Sequence, residues 1–296
     1  MFPPRVILAA IDFSEPARVA LRYAARLATQ CDAELHVLHA EDPFLAGAAR
    51  AAEVDLARET REELTQFVQS AAPAGNRAPR YHVVGGSSVE VICDIAERER
   101  ADLIVAGMHG MSGVERLMFG STTEGVLRKA GTSVLVVPHT WAPPRADRTD
   151  LTGTGPVVVG IEPTIPALSA ARAACTLAAV LDTSVEAVHI VPDLPVPARW
   201  MAHAEAAVAE RVRAARTELA SALDCIGAGE VPVTLHVESG HIAERLADIV
   251  RRSPGSHPLL VLGRRATGAL RYPPGRAAYR VLTLVDVPVL MYLEDA

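Results

Sequence analysis

The chain repeats itself, and the repeat restricts its fold more than any other feature. Val157-Val158-Val159-Gly160-Ile161-Glu162 matches the run from Ile7 to Asp12, and Thr183 to His189 matches the run that carries His39. Leu235-His236-Val237-Glu238-Ser239-Gly240 echoes Tyr81-His82-Val83-Val84-Gly85-Gly86. Leu259-Leu260-Val261-Leu262-Gly263 repeats Leu103-Ile104-Val105-Ala106-Gly107, and Val287 to Met291 repeats the closing run Ser133 to Val137. A period of about 150 residues is the size of a domain, so the chain reads as two copies of one domain. The boundaries read as 1–140 and 155–296, with 141–154 a polar linker that lacks periodic apolar residues.

In the first copy, apolar runs ending near Ile11, Ala40, Val84, Ala106 and Val137 alternate with helical patterns. Ser14 caps a helix whose apolar face is Val19, Leu21, Ala24, Leu27 and Ala28, with Pro16 tolerated in its first turn. Ala48 to Ala72 reads as one long amphipathic helix; Ser87 or Ser88 caps another, and a short one starts after Gly120. The order βαβαβαβαβ, with crossovers long enough for parallel pairing, predicts an α/β fold. Each copy becomes a doubly wound, five-stranded parallel sheet in the order 3-2-1-4-5, flanked by helices. Ligands of such sheets bind beyond the strand carboxyl ends where the order reverses, here between strands 1 and 4, at Asp12 and Gly107.

The stretch from Gly107 to Thr122 has its own chemistry. A glycine-rich turn between a buried strand and a helix leaves backbone N–H groups pointing outward, and the positive end of the helix dipole adds to them. Gly107 and Gly110 let the backbone approach a ligand, Gly120 starts the helix, and the Ser121 and Thr122 hydroxyls stand at its mouth. The place favours a phosphate. No GxxxxGK[ST] is present, and the single lysine, Lys129, lies outside any such loop. Nor is there an HExxH, a GxSxG or a kinase signature set, so a binder is expected and not a dedicated enzyme. His36 and His39, three apart on a strand, fall on opposite faces, and no metal ligand set is read.

The formal charge of −6 gives no general attraction to nucleic acid or to an anionic membrane. The N-terminus does not read as a secretory leader and no apolar run is long enough to span a bilayer, so a cytoplasmic location is expected. The four cysteines lie far apart without a CxxC, which suits a reducing compartment.

Gly107, Gly110, Gly120 and Ser121 satisfy Gly-x2-Gly-x9-Gly-Ser, and with it the chain resembles the universal stress protein family. Ala10-Ile11-Asp12-Phe13-Ser14-Glu15-Pro16, Leu38-His39-Ala40, Ala101 to Gly107 and the segment from Gly120 to Pro138 are similar to that family's strands and closing helix. The likeness covers both halves, as in a tandem member. It implies an ATP site in the first half, with Ala10 and Asp12 by the adenine and ribose and the Ala40 backbone at the adenine edge. Gly107, Met108 and Gly110 would line ribose and triphosphate, and Gly120, Ser121 and Thr122 the phosphates. Mg²⁺ held mainly by the phosphates is implied as well.

The second half departs from this pattern. Glu162 replaces Asp12, Arg264-Arg265-Ala266 replaces Met108-His109-Gly110, and Arg276-Ala277 follows Gly275 where Ser121-Thr122 follows Gly120. Those arginines could still draw phosphate, but the hydroxyl donors are gone. The expected function is an ATP-binding regulatory protein of stress response, nucleotide held in the N-terminal domain. A nucleotide-independent interaction scaffold and a slow ATPase are the alternatives. The two fifth strands, otherwise open edges, are expected to pair within the chain as an internal pseudo-dimer. A homodimer of whole chains stands as a further option.

Overall fold

The structure is a computed structural model. It describes residues 2–294 apart from 53, 73–74, 109–119, 144–150, 152, 154, 163, 194–196, 198–200, 227–228, 230, 256–257, 265, 268–269 and 272–274. The first half runs β1 (Val6–Ile11), α1 (Glu15–Cys31), β2 (Glu34–Glu41), α2 (Pro43–Ala51), α3 (Leu56–Ala71), β3 (Arg80–Gly85), α4 (Ser88–Arg98), β4 (Leu103–Gly107), α5 (Ser121–Lys129) and β5 (Ser133–Val137). The second runs β6 (Val157–Gly160), α6 (Ile165–Leu181), β7 (Val185–Val191), α7 (Met201–Ile226), β8 (Val233–Ser239), α8 (Ile242–Arg252), β9 (Leu259–Arg264), β10 (Ala266–Thr267), β11 (Leu270–Arg271), α9 (Arg276–Leu284) and β12 (Val289–Leu293).

The strands form one continuous sheet in the order β3-β2-β1-β4-β5-β12-β9-β6-β7-β8. Each half therefore has the expected order, 3-2-1-4-5 in its own count. Within this ten-stranded sheet every pairing is parallel except the central one, where β5 and β12 run antiparallel with Val136 opposite Val289 and Val134 opposite Met291. The two edges that a lone half would expose thus satisfy each other. Ser133 adds a side-chain tie, its Oγ accepting from the Leu293 N–H at 3.0 Å.

The strands are apolar on both sides because both sides are covered. On one face, a core of Ile7, Ala9, Leu21, Leu27 and Val105 continues into Val157, Val159, Ala170 and Val261. On the other, Leu8, Ile104, Val126 and Val134 continue into Val158, Leu246, Leu260 and Val289. All five expected apolar positions of α1 are buried. The 141–154 segment contributes to the core: Trp141 and Leu151 are buried, and the Trp141 ring meets Tyr23 edge-on at 4.9 Å.

The long helix expected over Ala48 to Ala72 is two helices. Asp55 interrupts it by accepting a hydrogen bond from the Arg58 N–H at 3.2 Å, which makes it the N-cap of α3. Asp42 does the same locally for the Phe44 N–H at 2.7 Å, and α2 starts at Pro43. The short antiparallel pair β10–β11 had no counterpart in the sequence reading. No helix among the described residues is long and apolar enough to cross a membrane.

Candidate functional site

Beyond the carboxyl ends of β1 and β4, the order reversal opens a cavity of about 290 Å³. It is lined by Ala10, Ile11, Asp12, Ala17, Leu38, His39, Ala40, Ser88, Ile92, Ala106, Gly107 and Gly120 to Thr123. Seven of the sequence-derived site residues are therefore together: Ala10, Asp12, Ala40, Gly107, Gly120, Ser121 and Thr122. Met108 is placed otherwise. Its side chain is buried in the core with Val126, Val134 and Val136, and it is not among the described lining residues; its carbonyl accepts from the N–H of Gly120, which is, at 3.1 Å. Gly110, with His109, lies outside the described residues.

A tight turn after β1 sets the position of Asp12. Ser14 is the N-cap of α1, its Oγ accepting from the Ala17 N–H at 3.2 Å. The same hydroxyl donates to Asp12 Oδ1 at 2.5 Å, and the Ser14 N–H donates to that oxygen at 3.1 Å. Phe13 between them has φ 61°. A left-handed non-glycine residue costs about 1–2 kcal/mol, here offset by ring contacts with His39 at 4.6 Å and Phe67 at 5.5 Å. Asp12 is thus held as the turn's acceptor and as a cavity wall. His39 Nδ1 donates to the Ile11 carbonyl at 2.8 Å, and the repeat is faithful here, since His189 Nδ1 donates to Ile161 at 2.8 Å. The histidine common to both halves is a strand-end brace.

On the opposite wall, β4 and α5 are fastened to each other. The Thr123 hydroxyl donates to the Gly107 carbonyl at 2.8 Å. A Cβ on Gly107 would lie 3.1 Å from the backbone carbonyl of Pro16, so this position lets α1 close on β4. The N-termini of three helices then meet at one hollow: α1 through Ala17, α4 through Ser88, and α5 through Gly120 to Thr123. Neither α4 nor α5 is closed by a capping side chain. Such ends direct N–H groups and partial positive charge outward, each favouring an anion by about 0.3–1 kcal/mol. Among the described lining residues there is no Lys or Arg, and Asp12 is the lone carboxylate. An anion would therefore be held by backbone amides and hydroxyls, at the end away from Asp12.

Sequence reading missed Leu38, Ser88, Ile92 and Ala106 as wall residues. A position-by-position comparison of the two halves carries the signal. The floor of the hollow is Ala10, Ala40 and Ala106 on one face, and the matching residues are Gly160, Ile190 and Leu262. Ile190 and Leu262 are buried, and a Cβ on Gly160 would lie 2.9 Å from Leu262 Cδ2. In the second half, two branched side chains stand where the first half has methyl groups. Arg264 is also turned elsewhere. It is 2% exposed and donates to the carbonyls of Ala130 at 3.3 Å and Thr132 at 3.4 Å, at the C-terminal end of α5. Its charge serves that helix end across the central strand pair, which corrects its reading as a phosphate attractor. Glu162 is exposed, and Arg265 lies outside the described residues.

The family model of the universal stress proteins matches residues 4–138 and again 154–292. A universal stress protein of Methanocaldococcus jannaschii is 31% identical over 131 residues, which is 43% of this chain and 77% of that protein. A universal stress protein A homolog of Coxiella burnetii is 30% identical over 139 residues, 44% of this chain and 94% of its own. Among solved structures, a universal stress protein of Archaeoglobus fulgidus aligns with 99% of both chains at a TM-score of 0.67 and 20% identity, a likeness of fold. With a family match in each half and a full-length structural counterpart, this chain belongs to the universal stress protein family as a tandem, two-domain member.

Proposed function

We propose that the first half binds one adenine nucleotide, ATP with Mg²⁺, and that its occupancy regulates the protein. The observation that carries this is the convergence of three helix N-termini, with the Ser88, Ser121 and Thr122 hydroxyls, on a hollow floored by alanines. Small apolar residues leave room for a flat ring, and uncapped helix ends suit phosphate oxygens. Asp12 is the acceptor at the sugar end, away from the phosphates, where like charge would oppose it. With no Lys or Arg among the described lining residues, a divalent cation would offset the charge of the phosphates. Mg²⁺ suits that place, bound mainly by phosphate oxygens and water.

The site is read as a binding site. Asp12 and His39 are the titratable side chains among the described lining residues, and hydrogen bonds tie Asp12 to the Ser14 turn and His39 to the Ile11 carbonyl. A general base aimed at an attacking water is not what these contacts favour. In the second half, Ile190 and Leu262 favour a structural role. Mass spectrometry of the nucleotide released from freshly purified, heat-denatured protein tests the reading. About one adenine nucleotide per chain is expected; none, with none taken up on adding ATP and Mg²⁺, overturns it in favour of a nucleotide-independent scaffold.

A further inference from the structure

A second cluster lies at the opposite end of the first-half sheet. His36 on β2 and His82 on β3 occupy diagonal positions of one parallel pair, because His36 is in register with Arg80 and His82 with Leu38. Their rings stack at 5.1 Å, and His36 Nδ1 is 3.1 Å from His82 Nε2. Glu99, at the C-cap of α4, brings Oε2 to 3.9 Å from His36 Nδ1, while Arg98 Nε donates to its other oxygen, Oε1, at 3.0 Å. One nitrogen from each histidine and one Glu99 oxygen lie within 4.8 Å of one another. In a tetrahedral zinc site with bonds of about 2.0–2.1 Å, neighbouring ligand atoms stand roughly 3.3 Å apart. The cluster needs only small side-chain adjustments to reach that spacing.

We propose that His36 Nδ1, His82 Nε2 and Glu99 Oε2 form a zinc-binding site, with water as fourth ligand. Two imidazoles and a carboxylate are a donor set suited to this ion. The His36 side chain is 2% exposed, and its other nitrogen, Nε2, is buried and makes no hydrogen bond. Glu34 Oε2 stands 3.6 Å from that nitrogen and is itself held by Arg80 at 3.0 Å. Histidine ligands of metals commonly have a carboxylate behind them, which fixes the tautomer that leaves the ligating nitrogen free. His82 and Glu99 are only partly buried, so the fourth position opens to solvent.

The second copy supplies an internal control. Glu186, His236 and Ser253 stand at the matching positions, and the Ser253 hydroxyl donates to Glu186 Oε2 at 2.6 Å, with His236 4.0 Å away. There one imidazole stands beside a carboxylate and a hydroxyl, whereas the first copy sets two imidazoles beside a carboxylate.

The test is a Zn²⁺ titration of the metal-free full chain against a chromophoric chelator, with His82→Ala, Glu99→Gln and His236→Ala variants, each checked for folding by circular dichroism. One ion per chain is expected. His82→Ala should lose more affinity than the roughly 10- to 100-fold that changes behind the ligands cost, Glu99→Gln should also weaken binding, and His236→Ala should match the unsubstituted chain. Co²⁺ gives an independent reading on unsubstituted protein: an intense tetrahedral visible spectrum without thiolate charge transfer is expected. No uptake, equal affinity in His82→Ala, or a weak octahedral Co²⁺ spectrum overturns the proposal.

Discussion

The pair of substitutions Ala10→Gly and Ala106→Leu would give the first half the filling of the second. Leu262 lies across Gly160 so closely that a Cβ there would be 2.9 Å from it, and Ala10 carries that Cβ in the first half. Ala106→Leu alone adds three carbons, a burial gain of about 2 kcal/mol, but drives them against Ala10. Overpacking of this kind costs about 1–3 kcal/mol, so the single variant is expected within about 1 kcal/mol of the starting stability. Ala10→Gly alone costs about 0.5–1 kcal/mol of strand stability. Together the clash is gone, and the double variant is expected about 1 kcal/mol above the unsubstituted chain, a rise of roughly 1–2 °C in melting temperature. The coupling from a denaturant-measured double-mutant cycle should be favourable by about 1–3 kcal/mol. Nucleotide content, read by mass spectrometry, should fall to background in the double variant while the fold is retained. Undiminished nucleotide would refute the assignment of the alanine floor to the ring, and a coupling near zero would refute the account of how Leu262 fits.

Gly125→Ala would place a Cβ 2.5 Å from Val89 Cγ2, between two of the helices whose ends face the hollow. Helix propensity gains about 1 kcal/mol and overpacking costs about 1–3, so a net loss of up to about 2 kcal/mol in urea unfolding is expected, restored by adding Val89→Ala; a loss unaltered by the second change contradicts the contact. Arg264→Met leaves the carbonyls of Ala130 and Thr132 without this donor and is expected to destabilise by about 1–3 kcal/mol; unchanged chemical denaturation would show that the guanidinium contributes nothing. Burial pushes the Cys31 thiol up to about 12, so the reactive thiolate is scarce at pH 8, whereas Cys225 is exposed. Peptide mapping after brief alkylation of native protein should find Cys225 modified and Cys31 spared, with Cys31 labelling rising only as the pH approaches that value; early labelling of Cys31 would count against its burial.

Local pattern and repetition made the sheet legible. Runs such as Leu103 to Ala106 are apolar on both sides, which only a covered parallel sheet explains, and the duplicated fifth strands announced their own pairing. Features that depend on space between distant residues were harder to read. The hollow is defined by what Ala106 lacks, and that is visible only against Leu262. Arg264 looked like a phosphate ligand by position, yet β9 carries it to the end of a helix in the other half. His36 and His82 are 46 residues apart in sequence, and only the β2–β3 register sets them side by side. The break between α2 and α3 rests on one Asp55 hydrogen bond, too local a signal to outweigh the helical periodicity around it.

The antiparallel seam between β5 and β12 joins two halves that already share one covalent chain. Its closure is unimolecular, with an effective concentration fixed by the tether and not by the amount of protein present. Dilution cannot part the halves, and exchange of subunits cannot scramble them. A pair of identical subunits must keep or lose a feature in both copies at once. Here each half is encoded separately, so Leu262 could fill one side while Ala106 leaves the other hollow, without disturbing the strands that hold them together.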